Sequence, residues 1–193
     1  APERWYLHGD MSLTQDAPIE EEAVNTMEVA PFATIEYGKS EDGSLLIFKV
    51  EPNDGTKCSI SYRQWTLGIA GVANIDKCLR DNRELEAGAL NYETALMEED
   101  YYINGPLQAD VWISTTAREA VLSVRVDEVT ANGRTVKPFT NGLLLASARK
   151  VDESRSRFLH GEMIQPYHYL TEDAVEPVVP GEVFKMQVEI FPT

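Results

Sequence analysis

The sequence predicts an all-β fold, a sandwich or barrel of many short strands carrying one or two short helices. Two observations lead there: apolar and polar residues alternate in several short stretches, and residue pairs that favour chain reversal separate those stretches. From Val121 to Asp127, the side chains of Leu122, Val124 and Val126 fall on one face of a pleat, while Ser123, Arg125 and Asp127 fall on the other. Further on, Phe184, Met186, Val188 and Ile190 alternate with Lys185, Gln187 and Glu189 in the same way. Each stretch reads as a strand with one dry and one wet face.

The remaining elements follow in order along the chain. Strands are expected at residues 5–7, 34–37, 45–50, 101–103, 111–115 and 143–148, most of them bordered by Gly, Pro or Asn. Turns are expected at Asp42-Gly43, Asn104-Gly105-Pro106, Asn132-Gly133, Asn141-Gly142 and Pro180-Gly181, where a positive or fixed φ is available. Two helices are expected. Residues 18–27 open with Pro18 and carry early glutamates, which suits a helix N-terminus and its dipole. Residues 74–85 have Asn74 as a cap and Gly88 beyond their end. Residues 51–56 read as the loopiest stretch, and no internal repeat occurs.

Composition bounds the function. With 193 residues, 43% of them hydrophobic and 25% charged, the chain is expected to form a single globular domain over 1–193. No apolar run approaches the roughly eighteen residues that span a bilayer. A formal charge of -15 repels phosphate backbones, and the 17 Lys and Arg residues are scattered, so no nucleic-acid partner is expected. The acidic runs Glu20-Glu21-Glu22 and Glu98-Glu99-Asp100 lack the alternation of a calcium loop and read as solvated faces. Cys58 and Cys78 are too few for a disulfide framework or a zinc site, and a single bridge between them stays open. No basic and apolar leader opens the chain at Ala1-Pro2-Glu3-Arg4-Trp5, which leaves the compartment open.

Catalytic signatures are missing. The nucleophile elbow G-x-S-x-G is absent, and so is the strand–helix alternation that gives it meaning. His8, His160 and His168 are the only histidines, none has metal-ligand spacing to another, and His160 and His168 lie in a polar stretch expected to be loop. Gly68-Ile69-Ala70-Gly71 lacks the spacing of a nucleotide fingerprint and reads as a loop or bulge. Neither cofactor nor metal is therefore expected. Trp5, Trp65 and Trp112 offer flat faces for stacking, and Trp112, between Val111 and Ile113, is expected to pack in the core.

Three segments carry a resemblance. Ile103-Asn104-Gly105-Pro106-Leu107 runs into Ala109-Asp110-Val111-Trp112-Ile113-Ser114-Thr115-Thr116 and is similar to the pattern I-x-G-P-(V/L)-x-A-x-(L/V)-W-(V/I)-S-(S/T). Val124-Arg125-Val126-Asp127-Glu128-Val129 with Ala131-Asn132-Gly133-Arg134 resembles a hairpin R-L-x-D-V-x-P-D-G-R. Thr140-Asn141-Gly142-Leu143-Leu144-Leu145-Ala146-Ser147-Ala148-Arg149 is similar to T-D-G-x-L-R-A-R-Y-R, and Pro180-Gly181-Glu182 and Phe191-Pro192-Thr193 follow in order. Upstream, Arg4-Trp5-Tyr6-Leu7 resembles an aromatic start and Leu90-Asn91-Tyr92-Glu93-Thr94 an L-x-Y-x-(T/S) entry. These patterns belong to the C-terminal domain of the X-Pro dipeptidyl-peptidase family, which also includes cocaine esterase and the α-amino acid ester and glutaryl acylases. Two positions depart: Arg118-Glu119-Ala120-Val121 stands where many members have D-T-D-F, and Ala148 replaces the tyrosine of A-R-Y-R.

The resemblance implies a jelly-roll β-sandwich, similar to galactose-binding modules, that packs on an α/β-hydrolase catalytic domain of the same polypeptide. That partner carries the Ser, Asp and His triad, so the chain alone is expected to have no catalytic residue and no activity. The implied role is to shield the hydrolase core and shape one wall of its substrate cleft, with Trp65, Thr66 and Leu67 as the candidate wall residues. Members continue past F-P-T into a G-H-R strand, so the resemblance also implies a truncated C-terminal end with one sheet edge uncovered. A homo-oligomer stays open. The rival readings are an independent carbohydrate-binding module and an adhesion or assembly sandwich.

Overall fold

The computed structural model describes residues 2–29, 33–39, 45–52, 88–130 and 136–191, the stretches 33–39 and 45–52 by their backbone. Its strands, in chain order, are β1 (Tyr6–Leu7), β2 (Leu13–Thr14), β3 (Ala33–Lys39), β4 (Leu45–Pro52), β5 (Leu107–Ile113), β6 (Val121–Val129), β7 (Val136–Leu145), β8 (Arg157–Leu159), β9 (Glu162–Gln165) and β10 (Phe184–Ile190). The helical content of the described residues is two 3-10 turns, Ala146–Ala148 and Glu172–Ala174. The fold is all-β, as the alternation predicts.

Two compact units make up the chain. One comprises Ala1–Arg4, Met97–Glu128 and Pro138–Thr193. Its centre is the antiparallel pair of β5 and β10, in register from Leu107 opposite Ile190 to Ile113 opposite Phe184. Met186 and Val188 are fully buried, and with Leu144, Ala146 and Val178 they form the core against which Ala109, Val111, Ile113, Leu122, Val124 and Phe184 pack. The period-two pattern of β10 thus delivers its apolar face inward. β8 and β9 form an antiparallel hairpin turned by His160 (φ 53°) and Gly161 (φ 85°). The other unit comprises Trp5–Leu96 and Val129–Lys137. There β1 pairs with β2 and β3 with β4, both antiparallel, with a register shift between Glu36 and Tyr37.

Several expectations need correction. Residues 18–27 form no helix, because Glu22 and Asn25 bond to the backbone of Gly9 instead of supporting a helical turn. Residues 101–103 form no strand. The strand expected at 111–115 is β5, which starts earlier and ends at Ile113, and the one expected at 143–148 is β7, which ends where the 3-10 turn begins. Asn141-Gly142 is no turn: it lies inside β7, and Gly142 is buried against the backbone of Glu189. β8 and β9 occupy a stretch read as loop. Gly105 (φ 106°) and Gly181 (φ 85°) do use the left-handed region that their turns require. The expected helix at 74–85, Gly68–Gly71, both cysteines, Asp42-Gly43 and Asn132-Gly133 lie outside the described residues.

Candidate functional site

Trp65, Thr66 and Leu67, the candidate wall residues, lie outside the described residues. Two other places combine chemistry with accessibility, one in each unit. The first is the outward face of β5 and β10. Because Val111 and Ile113 point into the core, the pleat turns Trp112 outward, and it is 66% exposed rather than packed inside. Its register partner Lys185 holds Nζ 5.2 Å from the indole centroid and 2.7 Å from Asp110 Oδ2. The exposed Val183 immediately precedes β10. Further along, this face is covered: Gln165 Nε2 donates to Glu189 Oε1, and Gln187 Nε2 sits 3.8 Å from Met163 Sδ. His168 lies beside Glu189 there, and burial holds its imidazole below the ordinary histidine range despite that carboxylate. The face therefore divides into a covered polar half and an open half centred on Trp112.

The second place is a shallow depression lined by His8, Gly9, Asp10, Glu22 and Ala23. His8 Nδ1 lies 2.7 Å from Glu22 Oε1, and Nε2 lies 2.9 Å from Thr14 Oγ1 and 3.1 Å from Asp16 O. Hydroxyl, imidazole and carboxylate in that order have the outline of a nucleophile–base–acid relay. Neighbouring backbone groups compete for the same hydrogens. Thr14 Oγ1 accepts the Asp16 N–H and has Asp16 O within donating reach, both at 3.2 Å, so the Asp16 carbonyl competes with His8 for its hydroxyl proton. A carbonyl accepts only, so Nε2 must carry a hydrogen to face Asp16 O, and a general base needs that lone pair free. Gly9 N–H, the amide nearest the site, is already donated to Glu22 Oε2 at 2.6 Å.

When protonated, His8 donates from both nitrogens, Nδ1 to Glu22 Oε1 and Nε2 towards Thr14 Oγ1 and Asp16 O. Its hydrogen bond to Glu22 raises its pKa above the ordinary histidine range, against a smaller opposing effect of burial. The same bond, with the Gly9 amide, holds Glu22 below the usual carboxylate range. Among the described residues no three His, Cys, Asp or Glu side chains gather as metal ligands would.

A family model described as the X-Pro dipeptidyl-peptidase C-terminal non-catalytic domain matches residues 1–193. The chain belongs to that family. Two curated relatives, each named a "putative serine esterase", come from Mycobacterium bovis and Mycobacterium tuberculosis; each is 24% identical over 189 residues, which is 98% of this chain and 25% of the relative. The chain thus spans about a quarter of the length of these relatives. No solved structure matches.

Within this X-Pro dipeptidyl-peptidase C-terminal domain, the residues that carried the resemblance do structural work. Arg149, the final arginine of its segment, donates Nη1 to Ala146 O (2.9 Å) and Glu176 O (2.7 Å), pairs Nε with Glu176 Oε2 (3.2 Å), and lies 4.9 Å from the Phe184 centroid. It fastens the 176–177 loop to the end of β7. Glu119, at the position that departs from D-T-D-F, still joins two segments, accepting the Ser147 N–H (3.1 Å) and the Ala120 N–H (3.0 Å). Burial acts to raise the pKa of Glu119, but those bonds outweigh it and the net shift is downward. Leu13 N–H donates to Glu93 O and Glu93 N–H to Met11 O, which joins the L-x-Y-x-(T/S) segment to β2. The roles of His8 and Glu22 were not legible from spacing, since their partners are set by loop geometry.

Proposed function

We propose that residues 1–193 act together as the non-catalytic C-terminal domain of a serine hydrolase of the X-Pro dipeptidyl-peptidase, esterase or acylase kind. In this reading the domain adopts the jelly-roll arrangement, packs on an α/β-hydrolase catalytic domain of the same polypeptide and shapes one wall of its substrate cleft. The observation that carries the reading is the family match over the whole chain. Trp112, 66% exposed on the same end of the face as the exposed Val183, supports the reading by offering apolar surface to such a domain.

The test has two arms. The 193-residue chain alone is assayed against dipeptide and p-nitrophenyl ester substrates, where no turnover is expected; turnover that a serine-directed inhibitor abolishes overturns the reading. In the full-length polypeptide, Trp112→Ser is expected to speed proteolytic separation of the C-terminal domain while leaving its own melting transition in place. A second reading, a carbohydrate-binding module, is favoured by the exposed indole of Trp112 with Asp110 and Lys185 beside it. Titration of the chain's tryptophan fluorescence with mono- and oligosaccharides separates the two, since the first reading expects no saturable change.

A further inference from the structure

The stretch from Pro18 to Val29 is an arm with two unlike properties. Three of its apolar side chains stand largely in water, Ile19 at 99% exposed, Val24 at 86% and Val29 at 79%, and Met27 is half-exposed. Yet the backbone between them is pinned. Glu22 takes the His8 imidazolium on one oxygen and the Gly9 amide on the other, Asn25 Nδ2 donates to Gly9 O at 2.8 Å, and Tyr92 OH donates to Asn25 Oδ1 at 3.0 Å. Gly9 lets the arm lie close: a β-carbon there would fall 2.9 Å from Ala23 O and 3.0 Å from Ala23 N. A floppy arm needs no such ties, and a self-contained domain gains nothing by presenting isoleucine and valine to solvent from a fixed position.

We infer that residues 18–29 form a docking arm for the catalytic domain of the same polypeptide, latched in its docking position by the doubly donating His8. This rests on the reading above that such a domain covers part of this one. Three observations select that occupant over a second copy. The family is by description a C-terminal part, the curated relatives are about four times longer, and the arm is acidic at Glu20, Glu21 and Glu28, which two copies bearing a formal charge of -15 each would set against one another. Docking gains from the pinning because an arm already ordered loses less entropy on being covered.

The latch has a pH window. The groups that face His8 are Glu22 from the arm, Asp10 from the turn after β1, and Thr14 and the Asp16 carbonyl from β2 and the turn beyond it. The folded pKa of His8 is raised, so its contribution is complete below the ordinary histidine pKa and is lost as pH rises through the raised value. Glu22 is depressed, so its contribution is present above the ordinary carboxylate pKa and is lost as pH falls through the lowered value. The arm is held between those two limits.

Amide hydrogen exchange over residues 18–29, measured in the full-length polypeptide and corrected for intrinsic pH dependence, tests both parts. Ile19→Ser with Val24→Ser is expected to lower arm protection by about tenfold or more, while the melting transition of the C-terminal domain stays put because both side chains are exposed. His8→Gln, which cannot donate from both ring positions, is expected to loosen the arm and to remove the loss of protection at high pH, and Gly9→Ala, which pushes on Ala23, is expected to loosen the arm at every pH. Unchanged arm protection in the Ile19/Val24 variant overturns the docking arm, and a wild-type pH profile in the His8 variant or unchanged protection in the Gly9 variant overturns the latch. If Trp112→Ser loosens the domain while the arm variant does not, the arm fails and the packing of the two domains stands. If neither substitution changes anything, both fail.

Discussion

Replacing Gly142 by alanine would put a β-carbon where β10 already lies. Its position falls inside the van der Waals envelope of the Glu189 carbonyl oxygen, 2.9 Å from the Glu189 carbonyl carbon and 3.1 Å from Val188 Cγ1. The nearest atoms are backbone and a buried β-branched side chain, neither of which swings aside. Relief requires β7 to draw away from β10, and that movement works against Phe191 N–H to Asn141 O (3.1 Å) and Thr140 Oγ1 to Phe191 O (2.6 Å). Overpacking costs about 1–3 kcal/mol and each lost hydrogen bond about 0.5–1.5, while the stiffer unfolded chain returns about 0.4–1. The net expectation is a loss of about 2–4 kcal/mol, a fall in Tm of roughly 5–15 °C for a chain of this size. Urea and thermal unfolding of the 193-residue chain measure it. Gly88→Ala is the control, since nothing stands within contact of its β-carbon and its expected effect is within about 0.5 kcal/mol. If Gly142→Ala matches that control or stabilises, the close approach of β7 to β10 is wrong.

Other perturbations separate the remaining contacts. Arg149→Lys keeps the charge but loses the fork that holds Ala146 O and Glu176 O on Nη1 while Nε pairs with Glu176 Oε2, and is expected to cost about 2–3 kcal/mol in urea unfolding; a cost under about 0.5 kcal/mol refutes the clamp. Asp152 is buried and accepts from Ser154 N–H (3.0 Å) and Ser154 Oγ (2.5 Å). The bond from the Ser154 hydroxyl, opposed by burial, leaves its pKa lowered. Its stabilisation is therefore present above the ordinary carboxylate pKa and lost as pH falls through the lowered value. Asp152→Asn should accordingly lower Tm near neutrality, with the gap to wild type closing in acid, and a gap independent of pH refutes the assignment. Lys185→Met removes the cation from above Trp112 and should shift the indole emission without changing Tm by more than a few degrees; unchanged emission refutes the contact.

What the sequence disclosed and what it hid have physical causes. β6 and β10 were legible because each buries one face only, so alternation survives in the residue order. β8 and β9 were hidden because Arg157-Phe158-Leu159 and Glu162-Met163-Ile164-Gln165 carry no period-two pattern, and they pair around a histidine in a conformation that few side chains adopt. Asn141-Gly142 carries the strongest short hairpin signal, yet here the glycine serves close packing between strands that meet only in the folded chain. Proline and glutamates at 18–22 resemble a helix start, but side-chain ties to Gly9 claim that stretch first. Trp112 follows from its neighbours: once Val111 and Ile113 are inside, the pleat leaves it no inward direction. His8 gave no signal, because an imidazole's role depends on which acceptors the loops bring to both of its nitrogens.

The pairing of β5 with β10 also sets a schedule. Leu107 meets Ile190 and Ile113 meets Phe184, so the strand that supplies Met186 and Val188 to the core is synthesised long after its partner. Until it emerges from the ribosome, Val111, Ile113, Leu122 and Val124 lack Met186 and Val188 to close against, and the wide loop between the paired strands makes the closing step slow.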